Sequence, residues 1–289
     1  MSIPFYGVAS SIAVDPIEKK PLHHFLPGTR ILSIGFFGCN MRCPFCQNWE
    51  ISQESPVDGS RRIEPGELVD AARRAGTPSI AYTYSEPTVH FEFVRDAMRL
   101  AREAGLRNVL VTNGGLREGP ALELLELTDA ANVDLKCWSA ERYDKTLGGS
   151  LETTLAFIKA AAKVCHLEVT TLVVPGLSDA EEDIGAIAEF LASLPGKVPL
   201  HLSAYHPSWR FDEPPTSPSL LAALAARARA RLDYVYVGNV SSAGSDTVCP
   251  ACGRTVVRRR GYSIDARGLS SSDGRASCAG CGAPLPIIV

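Results

Sequence analysis

Between residues 31 and 237, short β-rich runs alternate with longer amphipathic segments, and this alternation admits few architectures. The apolar runs ILSIGFF (31–37), SIAYTY (79–84), NVLVTN (108–113), AANVDLK (130–136), HLEVTTLVV (166–174) and PLHLSAY (199–205) read as buried parallel strands. DYVYVG (233–238) adds a late or edge strand. Helical patterns fill the gaps. One has Pro65 in its first turn and stops at Gly76, and the next stops at Gly105. Ser178 with Glu181 three residues on has capping-box spacing. Successive β-then-α units mean a parallel sheet with crossover helices. Six units are too few for a closed eightfold barrel, so a partial barrel and a doubly wound sheet both fit the pattern. In either, ligands sit at the C-terminal ends of the strands.

The chain has 29 basic and 32 acidic residues, a net charge of −3, which gives no general pull toward nucleic acid or anionic membrane. No stretch approaches ~20 consecutive apolar residues, so no membrane span is expected. The N-terminus lacks a basic region followed by an apolar run and does not read as a signal peptide. Of nine cysteines, seven fall in two clusters of close spacing. Together these features argue for metal binding in a reducing compartment, hence a cytoplasmic protein. Cys137 and Cys165 stand apart and read as small buried hydrophobes.

From residue 239 the composition shifts. The segment 239–289 opens on a small polar linker and has six Arg, no Lys, three Asp and no Glu, a local balance of +3 that leaves −6 on the rest. It has too few large apolar residues to build a core alone. Its CPAC (249–252) and CAGC (278–281) knuckles offer Cys249, Cys252, Cys278 and Cys281 as a tetrahedral thiolate site for zinc. The run Arg258–Arg260 reads as a solvated strand face, and nucleic acid is not expected as a partner.

The other cluster, GCNMRCPFCQNW (38–49), places Cys39, Cys43 and Cys46 in a C-x3-C-x2-C loop after the first strand of the repeat. A complete [4Fe–4S] cluster takes four thiolates. Three close cysteines hold three irons and leave the fourth open, and an open position marks a catalytic rather than a structural metal site. No histidine stands at knuckle spacing to complete a zinc site: His23 and His24 lie well before the loop and His90 well after it.

This motif, with Phe45 before the last cysteine, resembles the radical S-adenosylmethionine (SAM) superfamily. YTYSEPT (82–88) looks like a variant of the Gly-Gly-Glu-Pro motif of its glycyl-radical-activase branch, with Tyr84 and Ser85 in place of the glycines. A closer likeness spans nearly the whole chain. VDPIEKKPLHHFLPGT (14–29), GCNMRCPFCQNWEISQ (38–53), AYTYSEPT (81–88) and the cysteine ribbon resemble the radical enzymes of the AmmeMemoRadiSam system, related to the pyruvate formate-lyase activating enzymes. The resemblance implies a partial (β/α)6 TIM-like barrel over residues 31–238. An N-terminal extension (1–30) would pack on it, and a small four-cysteine zinc-ribbon-like domain (239–289) would follow. It implies a [4Fe–4S] cluster on Cys39, Cys43 and Cys46, and SAM held by Ser85, Glu86, Asn113, Asp134 and Lys136. His206 matches a histidine near the cofactor and is the catalytic candidate.

The reaction implied is reductive SAM cleavage to a 5′-deoxyadenosyl radical, followed by hydrogen abstraction. Its target would be a protein partner, as in glycyl-radical activation, or a small molecule, peptide side chain or nucleotide. Memo-like and AMMECR1-like proteins and a low-potential electron donor are the partners implied. Two rival classes are weaker. A non-catalytic metal scaffold has no need of the polar strand-end set, and a non-radical methyltransferase or lyase would carry a Gly-rich loop where this chain has cysteines.

Overall fold

The computed structural model describes residues 5–54, 60–240 and 245–289. A nine-stranded sheet comprises β1 (Val8–Pro16), β2 (Arg30–Phe36), β3 (Arg61–Arg62), β4 (Ser79–Thr83), β5 (Arg107–Thr112), β6 (Ala130–Asp134), β7 (His166–Val173), β8 (Leu200–Ala204) and β9 (Val235–Gly238). Its order is β3-β1-β2-β4-β5-β6-β7-β8-β9. From β2 to β9 every neighbouring pair is parallel, while β1 runs antiparallel to β2 and β3. A doubly wound sheet reverses its strand order at a switch point. Here the parallel strands β2 and β4 to β9 follow one another without reversal and β9 does not pair back to the first strands, so the sheet is an open, partial barrel.

The helices are α1 (Trp49–Ser52), α2 (Pro65–Arg74), α3 (Phe91–Glu103), α4 (Glu118–Leu125), α5 (Ala140–Arg142), α6 (Leu151–Val164), α7 (Glu181–Ala192) and α8 (Pro218–Arg229). Right-handed crossovers stepping always the same way put the connecting helices on one face. The core divides accordingly. Leu32, Ile34, Ile80, Tyr82, Leu110 and Val133 pack with the helices. Their neighbours Ile31, Ala81, Val109 and Ala130 point to the other face, because strand side chains alternate. There they meet Ile17, Leu22 and Phe25, so the segment before β2 plugs the interior at the N-terminal ends of the strands.

One strand is new, and two local expectations are corrected. Val8–Pro16 forms a strand that the sequence conceals, because only a mild alternation of small residues marks it. Ser178 does not cap α7: its hydroxyl accepts from Val174 N–H (2.9 Å) and donates to the Leu172 carbonyl (2.6 Å), closing the end of β7. The helix starts after Ala180 instead, and the reciprocal capping box belongs to α2, between Glu64 and Glu67. The arginine run is not all solvated. On a strand of period two, Arg258 and Arg260 face out while Arg259 is 3% exposed.

Arg259 lies in the C-terminal ribbon, which is built from β10 (Thr247–Val248), β11 (Thr255–Arg260), β12 (Ser263–Asp265), β13 (Leu269–Ser272), β14 (Arg275–Cys278) and β15 (Pro284–Ile288). Its small core is Val256, Val257, Ala276, Leu285 and Ile287, with Cys249 and Cys278 buried among them. It docks under the barrel plug: Leu26 N–H bonds the Ile288 carbonyl and Ile288 N–H the His24 carbonyl, both at 2.8 Å.

One buried carboxylate ties this end together. Glu168 on β7 has no solvent exposure and accepts from the backbone N–H groups of His23 (3.0 Å) and His24 (2.7 Å). The rings of His166 (3.0 Å) and His201 (2.6 Å) complete its shell. Burial would raise the Glu168 carboxyl, but the two imidazoles outweigh it and hold the group well below the usual carboxylate range. The folded-state pKa lies under the unfolded value of about 4.3. Glu168 therefore contributes stability above that pH and loses it as pH falls through the folded value. Glu168→Gln is expected to cost about 3 kcal/mol at pH 7 and to flatten the acid limb of stability, measured by urea unfolding between pH 3 and pH 7.

Candidate active site and metal centres

At the opposite end, β2 runs out into the cysteine loop. Gly38 opens the loop at φ +94°, a left-handed conformation that suits glycine, and its N–H bonds the Ile51 carbonyl at 2.8 Å. His90 is buried against Phe36 and binds the Phe37 carbonyl at 2.7 Å, so it fastens the loop's root. The segment after β8 clamps the loop from the far side. Ser208 Oγ donates to the Cys46 carbonyl (3.1 Å), Arg210 N–H bonds the Pro44 carbonyl (3.0 Å), and Trp209 stacks on Trp49 with ring centres 6.3 Å apart. Nothing in the sequence flags this clamp, because its partners are 160 residues apart.

Cys39, Cys43 and Cys46 line a cavity of about 1080 Å³ together with Ser85, Glu86, Asn113, Asp134 and Lys136. The expected strand-end residues are thus brought to one space. His206 is not: it is exposed, bonds the Asn239 carbonyl (3.0 Å), and does not line the cavity. One residue that sequence reasoning passed over, Asn40, completes the surroundings. Asn40 accepts from Asn113 Nδ2 (2.7 Å) and donates to the Gly115 carbonyl (2.8 Å), and Asn113 Nδ2 also reaches the Cys39 sulfur at 3.7 Å. Tyr84 holds φ +73°, the backbone that a glycine would adopt where the related motif has one. Its hydroxyl donates to Asp15, and the Lys20 ammonium lies 4.2 Å over its ring.

Glu86 is fully buried and heavily used. It accepts from Thr88 N–H (3.1 Å), Thr88 Oγ1 (2.7 Å), Thr112 Oγ1 (2.7 Å) and Asn113 N–H (2.8 Å). It caps the turn Pro87–His90 and pins the end of β5 to the end of β4. Burial pushes its carboxyl above the usual range, and these donors pull it back only in part. Ser85 turns away, donating to the Phe36 carbonyl at 2.8 Å. Lys136 pairs with Asp134 at 2.6 Å. Burial alone would depress its ammonium, but Asp134 and the nearby Cys43 outweigh that and hold it high.

The donor sets fit two different metal groups. Thiolates on a tetrahedron with bonds of ~2.3 Å lie ~3.8 Å apart. In the ribbon, Cys249 and Cys281 stand 3.8 Å apart and Cys252 and Cys278 3.7 Å, and all four sulfurs lie within 4.8 Å of one another. Gly280 N–H bonds the Cys278 sulfur at 3.4 Å and draws its thiol down to about 6. This set fits a single ion. The loop thiols do not converge in this way among the described residues, which suits three separate irons rather than one shared ion. Burial raises the Cys39 thiol to about 12, so it ionises when a metal replaces its proton. Met41 N–H, 3.3 Å from that sulfur, and Asn113 Nδ2 are placed to support the thiolate.

The comparisons agree with this geometry. The profile of the radical SAM superfamily matches residues 33–191. An uncharacterized protein of Methanocaldococcus jannaschii is 40% identical over 290 residues, covering 98% of this chain and 86% of that one. The pyruvate formate-lyase 1-activating enzyme of Escherichia coli K12 is 31% identical over 186 residues, 62% of this chain and 75% of its own. Among solved structures, a radical SAM methyltransferase from Sphaerobacter thermophilus has a TM-score of 0.57 at 17% identity, covering 76% of this chain and 71% of that chain. SuiB of Streptococcus suis, bound to S-adenosylmethionine, also scores 0.57, at 13% identity, over 70% of this chain and 48% of its own. At such identities these two speak for the fold. No helix among the described residues is long and apolar enough to cross a membrane.

Because the four donors to Glu86 all need an acceptor, Glu86→Gln must turn an amide N–H toward one of them. It is expected to cost about 1–3 kcal/mol, read from the urea midpoint, with Thr112→Val giving a smaller loss.

Proposed function

The chain belongs to the radical SAM superfamily, and from that premise we propose that it cleaves SAM reductively and abstracts hydrogen from a substrate held in the same cavity. The observation that carries this reading is the shared cavity: three loop cysteines, an open-ended thiolate set, face the polar strand-end residues. Cys39, Cys43 and Cys46 would hold a [4Fe–4S] cluster with one iron free for SAM. When bound, that cluster supplies the electron for cleavage, and the SAM fragment released supplies the hydrogen-abstracting radical.

The protein's part is binding, orientation and exclusion of water. Lys136, kept charged by Asp134, is suited to the SAM carboxylate as a point charge. Asp134 is suited to its ammonium. Glu86, with one oxygen taking three donors and the other only one, has a remaining acceptor position toward the cavity. Its larger task is to hold Asn113 and the end of β5 in register. Ser85, with its hydroxyl engaged, would offer its backbone.

For the target, the 31% identity to an activating enzyme supports a protein substrate and a glycyl-radical-type modification. Similarity to a 7-carboxy-7-deazaguanine synthase of Thermococcus kodakarensis, 28% identical over 201 residues, favours a small molecule as the second reading. His206 stands outside the cavity and would act only through the Asn239 loop. Memo-like or AMMECR1-like partners belong to this proposal through the likeness of the sequence alone.

Two measurements test it. After anaerobic reconstitution with SAM and dithionite, 5′-deoxyadenosine is expected by mass spectrometry, and Cys43→Ala should abolish it together with the cluster iron. Methylthioadenosine, or no nucleoside from a full cluster, would sink the reading. For the ribbon we propose zinc: metal analysis should find one zinc per chain, retained in Cys43→Ala and lost, with a lower melting temperature, in Cys252→Ala. Iron in its place would overturn that assignment.

A further inference from the structure

The cavity continues past the cofactor end to a floor that initiation chemistry leaves unused. That floor is made partly by the ribbon, since Ser245 and the hairpin Arg259–Tyr262 line the same space as the loop cysteines. Its cations differ in one respect. Lys19 and Lys20 pair with Asp15 at 3.0 and 2.8 Å, Lys136 with Asp134, and Arg260 with Asp246 at 3.3 Å. The Arg259 side chain, 3% exposed, has no carboxylate within ion-pair distance among the described residues; Asp246 accepts from its backbone N–H (2.7 Å), and Glu18, Glu168 and Asp246 act on the guanidinium only from farther off. Its guanidinium donates only to neutral oxygens: the Ser245 carbonyl (2.7 Å), Thr247 Oγ1 (2.8 Å) and the His23 carbonyl (2.7 Å). Its Nε is buried with no partner at all.

A charge withdrawn from water with no carboxylate hydrogen-bonded to it is costly, and guanidinium is the group best shaped to take one. Beside it, His201 binds Glu168 through Nε2 at 2.6 Å, while its Nδ1 has no partner among the described residues. His23 Nδ1 is also buried and unpartnered, with its ring centre 4.7 Å from that of His201. Arg259, His201 and His23 thus retain unused hydrogen-bonding capacity on one cavity wall, as does the Glu18 carboxyl, whose Oε2 is also buried and unpartnered.

We propose that this floor is an anion subsite, in which Arg259 and Arg260 hold a carboxylate or phosphate group of the substrate, with His201 on the same wall. The inference rests on the proposed reading of the cavity and names the substrate's chemical class. A molecule anchored there by its anionic end extends toward the cysteine loop, where hydrogen would be abstracted. Because Arg259 and Arg260 stand on β11, the ribbon supplies part of the substrate site as well as binding its own metal.

The test is calorimetric titration of the reconstituted full-length protein with inorganic phosphate and, separately, succinate. Wild-type protein is expected to bind one of them. Tighter phosphate binding assigns a phosphate ester, and tighter succinate binding a carboxylate. Arg260→Gln, an exposed change that leaves the fold's buried contacts intact, should weaken binding about fivefold, and Arg259→Lys, which keeps charge but loses the fork, about tenfold. No binding of either probe, or equal affinity in wild type and Arg260→Gln, overturns the subsite. If Arg259→Lys fails to fold, Arg260→Gln decides. The two readings fail separately: wild-type protein that binds a probe but forms no 5′-deoxyadenosine refutes radical initiation alone, and the converse refutes the subsite alone.

Discussion

The cavity and the plug beneath it follow from a sheet whose parallel strands are added in one direction. Because each crossover steps the same way, the helices cover one face and leave the other to be filled by something else. At the N-terminal ends of the strands the filling is apolar: Ile17, Leu22 and Phe25 close the interior. At the C-terminal ends it is polar and open, a cavity rimmed by thiols, carboxylates and an ammonium. The partial barrel is thus stable at one end and chemical at the other.

The two ends communicate through charges that cannot reach bulk water. Glu168 draws the plug onto the sheet through two backbone N–H groups, and also fixes His201, which lines the cavity. Glu86 does the equivalent work near the cysteines, tying two strand ends together with one carboxylate. Buried carboxylates with four donors are expensive to lose and rigid while they last. That rigidity is what a site needs if it must keep a reactive species at fixed distance from its target.

The ribbon changes meaning when seen in place. On its sequence it is an appended metal knuckle, too poor in apolar residues to stand alone. In the structure its C-terminal strand bonds the barrel plug, and its arginine hairpin walls the cavity. A metal held by the four cysteines would therefore also order part of the cavity wall, although Cys249 and Cys278 belong to a separate core.

The sequence by itself determined what is local or periodic. The seven parallel strands and their helices were legible because apolar runs and helix stops repeat, and both cysteine sets because metal ligation demands close spacing. The convergence of Glu86, Asn113, Asp134 and Lys136 was legible too, since strand ends in such sheets meet at one rim. What depended on distant partners was not. The Ser208–Arg210 clamp on the cysteine loop, the Glu168 shell and the burial of Arg259 each join residues more than 30 positions apart. A hydroxyl, a carboxylate or an arginine looks the same in sequence whether it faces water or a buried acceptor. The tertiary structure alone decided which, because burial, not residue type, sets what a polar group must find.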